Sequence, residues 1–248
     1  MSFLDHLDEL RARLLVSVVA LFAGFLIALA FIRYVFDFIM RPLQQALPQG
    51  GRLIYTEPAE AFLLYLKIAA LVGAVLAAPI VLWQLWLFVA PGLYANEKRF
   101  ALPFVLFSTC FFVAGAAFSH YVLFPLAWQF FAGFSSDYVE FLPRIGPVFS
   151  LYAKLVLAMG AVFQLPTLVL FLARIGVVTA GMLLRQFKYA VLGIFILAAV
   201  VTPGPDVVSQ LLVAGPMLVL YALSVVIAWL FGKRRPEAHS GVSEGEIP

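Results

Sequence analysis

Between Leu14 and Ile32 the chain holds no Asp, Glu, Lys or Arg, and such runs recur at Ile68–Leu93 and Phe100–Ser136. A helix needs about 20 apolar residues to cross roughly 30 Å of hydrocarbon, so each run is long enough to span a bilayer. Composition agrees: 64% of residues are apolar and 12% charged, where a soluble domain carries about 25% charge. So few charges cannot cover a soluble surface. The bilayer is the solvent, and the expected fold is an all-α membrane bundle.

Six spans are predicted. Span 1 is Leu14–Ile32. Span 2 runs from Phe62 to Leu93, with a kink expected at Pro79, whose ring leaves one carbonyl unpaired. The third run is too long for one crossing. Its Pro125 and the cluster Trp128, Phe130 and Phe131 read as an interfacial exit, which leaves Phe100–Phe124 as span 3. Span 4 is Ser150–Ala173. Span 5, Tyr189–Val201, is short, about 20 Å at 1.5 Å per residue, and should thin the bilayer or leave the bundle concave. Thr202-Pro203-Gly204-Pro205-Asp206 is a tight turn. Span 6 is Val207–Phe231, interrupted at Gly215-Pro216. Asp37–Leu47 reads as a short interfacial helix, and Glu57-Pro58-Ala59-Glu60 as a helix start. Residues 1–235 form one membrane domain, and the polar stretch 236–248 is expected to be a disordered tail.

An even span number puts both termini on one side. Ten basic residues then fall on the face of the termini (Arg11, Arg13, Lys98, Arg99, Arg174, Arg185, Lys188, Lys233, Arg234 and Arg235) and six on the other (Arg33, Arg41, Arg52, Lys67, Arg144 and Lys154). The bias makes both termini cytoplasmic. The first 13 residues hold Asp5, Asp8 and Glu9 as well as Arg11 and Arg13, with no small-residue cleavage site behind them, so span 1 is expected to remain in the mature protein.

Several chemistries lack their residues. His6, His120 and His239 are far apart, with no HExxH or CxxC beside them, and Cys110 is the single cysteine; no metal or other cofactor is indicated. No GxSxG precedes a helix and no GxxxxGK[ST] occurs, so neither a membrane hydrolase nor a nucleotidase is indicated. A net charge of +3 gives no reason to expect nucleic acid.

Two segments carry charge where it could recognise something. In His6-Leu7-Asp8-Glu9-Leu10-Arg11-Ala12-Arg13-Leu14, a helix puts Glu9 and Arg13 on one face at i,i+4. In Phe88-Val89-Ala90-Pro91-Gly92-Leu93-Tyr94-Ala95-Asn96-Glu97-Lys98-Arg99, a short loop holds one carboxylate. Each alone is equally an ordinary flank whose basic residues fix topology. Together they place two carboxylates at one membrane face, where each could accept a guanidinium fork bidentately.

HLDELRARL before span 1, LFVAPGLYANEKR after span 2, FQLP in span 4 and TPGPDVVSQ before span 6 occur in an order and spacing that resemble the multispanning receptor subunit of the twin-arginine translocase, the TatC family. The likeness covers about Phe3 to Arg235. It implies recognition of twin-arginine signal peptides on folded cargo proteins. It also implies docking of single-span subunits (TatA/TatB-like) in an oligomeric complex with membrane lipid around it, drive by the proton gradient, and residence in the bacterial cytoplasmic membrane. Such a subunit is a receptor and scaffold, not an enzyme. Glu9 and Glu97 match the family's cytoplasmic carboxylates, and Arg13 and Arg99 beside them complete the candidate binding set with Phe88. Pro91 matches a loop position, and Pro42 and Asp206 match outer-face positions.

Gln164 departs from the pattern, since many members carry a glutamate in this FxxP segment. An amide only donates and accepts hydrogen bonds, so it either ties two helices or faces a cavity or partner. A rival reading, a secondary transporter of a small solute, predicts two related halves and charged midplane sites; the sequence has neither a repeat nor a midplane carboxylate.

Overall fold

The computed structural model describes residues 3–46, 53–89, 101–135, 142–202 and 206–232. Pro91, Glu97 and Arg99, the centre of the turn at 203–205 and the tail at 236–248 lie outside them. Apart from a two-residue bridge between Ile54 and Arg144, the described residues are helices and their connections.

Helix α1, Phe3–Ala30, takes in the charged segment as well as the first apolar run. It packs antiparallel along α3, Glu60–Val89. The reason lies in two glycines. A Cβ on Gly24 would meet the Gly73 carbonyl, and a Cβ on Gly73 would lie 2.5 Å from the Phe25 nitrogen. Small residues let the backbones touch, which is how helices gain contact where the hydrophobic effect offers little. Pro79 is accommodated inside α3 without ending it.

Between them, α2 (Ile32–Ala46) starts earlier than the sequence suggested and contains Pro42. Arg33, Asp37 and Arg41 recur every four residues on its exposed side, while Ile39 and Met40 are buried against the core. That is the one-sided pattern of an interfacial helix.

The third run does not exit at Pro125. Helix α4, Ala101–Phe118, passes through a π-turn at Ser119–Leu123 into α5, Phe124–Ala132. Within that turn the Phe124 N–H reaches back to the Ser119 carbonyl. The wider turn brings Pro125 into the opening turn of α5, where a missing N–H is least costly. Trp128, expected at an interface, is instead a buried core residue, as is Phe124.

Span 4 is likewise jointed: α6 (Ile145–Val162) and α7 (Gln164–Arg174) meet at Phe163, just ahead of Pro166. Gly176, at φ 83°, lets the chain turn away after α7 in the left-handed conformation a glycine adopts freely. The short α8, Ala180–Arg185, is capped by Thr179, whose hydroxyl accepts from the Met182 N–H. Helix α9, Phe187–Val201, has 15 residues. Helix α10, Val207–Phe231, runs unbroken through Gly215-Pro216, so the expected interruption there is absent. Among the described residues, five helical stretches are long and apolar enough to cross a membrane, and α9 is the shorter apolar helix in the place of the predicted fifth span. The core is centred where α3, α5, α6 and α10 bring together Ile68, Phe124, Leu155, Met159 and Met217.

Candidate receptor site

The geometry begins on the first turns of α1. Arg13 donates to the Glu9 carboxylate at 3.2 Å, the i,i+4 pair its spacing predicts. The same guanidinium reaches across to the Gln84 amide oxygen of α3 at 3.5 Å. Ser17 donates its hydroxyl to the Arg13 carbonyl. The pair is partly shielded, the Glu9 side chain being 18% exposed and that of Arg13 34%. The Glu9 carboxylate still has acceptor capacity, because two oxygens offer about four lone-pair positions.

Gln84 is a residue that the sequence argument missed. It is the single amide in the apolar run Ile68–Leu93, and that isolation was the available signal. It lies one helical turn before Phe88, which is half-buried near the end of α3. Glu9, Arg13 and Phe88 therefore belong to one end of the α1–α3 pair, where the loop with Glu97 and Arg99 departs.

Gln164 lies elsewhere. Its amide oxygen accepts from the Ser108 hydroxyl at 2.9 Å, and its amide nitrogen donates to the Ser108 carbonyl at 2.9 Å. Both halves of the amide are thus used to join α7 to α4 within this chain. These bonds are of the kind expected of a helix tie, one of the two roles open to Gln164.

At the opposite end, Glu60 opens α3 and accepts from the Thr56 N–H at 3.1 Å and the Gly146 N–H at 3.1 Å. Arg144 stands 3.5 Å from the same carboxylate and 3.9 Å from Glu57. A Cβ at Gly146 would sit 2.6 Å from the Glu60 oxygen, so the glycine is what lets the carboxylate reach the backbone. The Ile54 carbonyl accepts from the Ile145 N–H, and the Ile54 N–H donates to the Pro143 carbonyl. This clamp ties the segment before α3 to the segment before α6, and only the helix-start role of Glu60 was legible beforehand. Asp206 acts locally: its carboxylate accepts from the Ser209 N–H at 2.7 Å and from the Ser209 hydroxyl, capping α10. Those two donors hold its carboxyl below the ordinary carboxylate range. Pro42 is half-buried within α2. Among the described residues no cluster of His, Cys, Asp and Glu could hold a metal ion.

The comparisons follow this architecture. The family model described as Sec-independent protein translocase protein (TatC) matches residues 5–216. The Sec-independent protein translocase protein TatC of Desulforapulum autotrophicum is 42% identical over 242 residues, covering 98% of this chain and 89% of its own length. That of Helicobacter pylori strain J99 is 44% identical over 223 residues, covering 90% and 87%. Two crystal structures of the twin-arginine translocase receptor TatC, one of them in DDM, superpose with TM-scores of 0.80 and 0.82 at 35% identity. Each covers 90% of this chain, and 97% and 99% of the respective receptor is matched. With the family match spanning most of the sequence and the same multi-pass helical fold recurring in solved relatives, this chain belongs to the TatC family of protein translocase components, a family of membrane receptors rather than enzymes.

Proposed function

We propose that this chain is the signal-peptide receptor and core scaffold of a twin-arginine translocase in a bacterial cytoplasmic membrane, with both termini in the cytoplasm. On this reading residues 1–235 form the receptor domain and 236–248 a cytoplasmic tail. Single-span subunits dock on the bundle, and the proton gradient drives export of folded cargo. The family assignment displaces the small-solute transporter.

The observation that carries the reading is the Glu9–Arg13–Gln84 arrangement. An incoming guanidinium binds a carboxylate bidentately, in a planar fork that lysine cannot copy. Arg13 already neutralises part of the Glu9 charge, but its second contact, to Gln84, gives it somewhere to go. A signal-peptide arginine takes Glu9 while Arg13 keeps its hydrogen bond to the Gln84 amide oxygen on α3. Glu97 supplies the second carboxylate from the loop after α3. Gln164 serves as a structural tie in this proposal, and Pro42 and Asp206 shape the opposite face.

The test is photocrosslinking from positions 9 and 97 to a signal peptide with and without its arginine pair. Crosslinks that depend on the pair support the assignment. Equal crosslinking of the lysine-substituted peptide would overturn it.

A further inference from the structure

The contact of the Glu60 carboxylate with the Gly146 N–H, 3.1 Å long, sets the starts of α3 and α6 level with one another. From there the two helices run the same way and pack side by side. Lys67 follows Glu60 on α3, and Lys154 follows Gly146 on α6, by about 10 and 12 Å at 1.5 Å per residue. The two lysines therefore stand at one depth. The stretches Glu60–Phe88 and Ile145–Arg174 exceed the roughly 20 residues that fill the hydrocarbon, which puts both lysines just inside its boundary.

They also share a side. Seen from the clamp, residues advance clockwise round each helix by about 100°. Lys67 then lies about 20° anticlockwise of Glu60, and Lys154 about 80° clockwise of Gly146. Glu60 and the missing Cβ of Gly146 point at each other, so opposite rotations on the facing helices lead to the same flank of the pair. Burial agrees. Leu64 and Ile68 on α3, with Phe149 and Val156 on α6, turn to the other flank and lie in the core, whereas Lys67, Ser150 and Lys154 are exposed. Neither lysine has an ion-pair or hydrogen-bond partner among the described residues. An unpartnered charge at that depth is costly, and a lysine relieves the cost by reaching toward the headgroups. We propose that this flank binds one anionic glycerophospholipid of the adjoining leaflet, its phosphate held between the Lys67 and Lys154 ammonium groups. The acyl chains lie along Ala70 and Leu157, the exposed residues one turn deeper, and Ser150, one turn shallower, offers its hydroxyl to the headgroup. Two cations around one phosphate favour a headgroup that adds no positive charge of its own. A carboxylate on a neighbouring helix fits less well, because it must itself be carried to this depth, whereas a lipid phosphate already lies at the boundary. The inference rests on the membrane fold and not on signal-peptide recognition.

The test is native mass spectrometry of the purified chain titrated with 1-palmitoyl-2-oleoylphosphatidylglycerol. Three comparisons accompany it: phosphatidylcholine with the same acyl chains, inorganic phosphate as a competitor, and a synthetic single-span helix carrying one glutamate. One phosphatidylglycerol should be retained in preference to phosphatidylcholine and should withstand inorganic phosphate. Lys67→Gln and Lys154→Gln should each weaken that retention roughly fivefold, and the double variant should lose the preference altogether. Lys154→Arg keeps the charge and should keep the lipid. Arg33→Gln, on the exposed side of α2, is the control and should change nothing. Two retained lipids, one released by each lysine variant, would mean separate headgroup contacts and overturns the shared site. So does equal loss from Arg33→Gln, displacement by inorganic phosphate, or equal retention of the two lipids. The glutamate helix retained in place of lipid, with the same dependence on Lys67 and Lys154, overturns it as well. Melting temperatures in detergent confirm folding, and Lys67→Met or Lys154→Met stands in for a glutamine variant that does not fold.

Discussion

Gln164 occupies a position where a charge would have to be accommodated in the membrane, and the amide removes that need by spending its donor and its acceptor on one neighbour, Ser108. Replacing it with leucine orphans only the serine hydroxyl, which can turn to a carbonyl of its own helix. The expected loss is about 1 kcal/mol, or a fall of roughly 2–4 °C in detergent melting temperature for a chain of this size. Ser108→Ala should cost a similar amount, and the double variant little more than either alone. Gln164→Glu, held protonated by desolvation, keeps an acceptor for the hydroxyl and an O–H for the Ser108 carbonyl, so it should melt close to the unaltered chain. Export of a folded reporter should then follow protein abundance across the series; a loss of export at unchanged melting temperature would assign Gln164 a role beyond the tie. Glu9 differs in kind, because its pair with Arg13 is partly open to solvent. Glu9→Gln should leave the melting temperature nearly unchanged, as exposed pairs contribute little. It should weaken binding of a paired-arginine signal peptide by about tenfold to a hundredfold, the usual cost of one charge-assisted hydrogen bond. Calorimetric titration with the peptide checks this, and unchanged affinity would remove Glu9 from the site.

Most helices were legible as elements because a span of apolar residues has no other stable form in lipid. What was not legible was their jointing. Pro125 reads as a helix end in any linear scan, and only the π-turn before it, formed by packing against α6, lets the helix continue. Pro216 is the converse case, a proline that α10 absorbs outright. The close contact of α1 and α3 at Gly24 and Gly73 was equally hidden, since neither glycine stands in a distinctive motif. It predicts that Gly73→Val, whose branched side chain must enter the Phe25 backbone, costs about 1–3 kcal/mol of overpacking. Gly193→Val, on α9 with open space around it, is the control and should cost much less; equal effects on melting would mean that helix propensity, not the crossing, decides. The start of α10 adds a pH dependence. Asp206 is held below its ordinary range by the two Ser209 donors, so its contribution is present above the unfolded value of about 4 and fades as pH falls through the lowered folded value. Hydrogen exchange at the Ser209 amide, corrected for its intrinsic rate, should therefore stay protected from neutral pH down to about 4 and loosen only in stronger acid. Asp206→Ala should lose that protection at every pH, and Asp206→Asn should keep much of it without the acid dependence.

For the whole molecule, the order of spans could be read from hydropathy but the neighbours of each span could not, because lipid-facing and helix-facing residues are equally apolar. The receptor residues show the same division: Glu9 and Arg13 follow from helical spacing, whereas their tie to Gln84 depends on α1 lying antiparallel to α3. The tie between Glu60 and Gly146 in turn places the starts of α3 and α6 at one face, opposite the Arg13–Gln84 end. That sets up a decisive test of sidedness. The ten-to-six distribution of basic residues predicts that the Arg13 face is cytoplasmic, which makes Thr56, exposed beside the Glu60 clamp, accessible from outside. Cys110 is exposed on the bundle surface and is first replaced by alanine. Single cysteines at Ser2 and Ser240 should then react with a membrane-impermeant maleimide only in inside-out vesicles, and a cysteine at Thr56 only in right-side-out vesicles. Labelling of positions 2 and 240 from opposite sides would mean an odd number of crossings and would exclude α9 as a span. Labelling of both from the outside would invert the bundle and put Glu9 beyond reach of any cytoplasmic signal peptide.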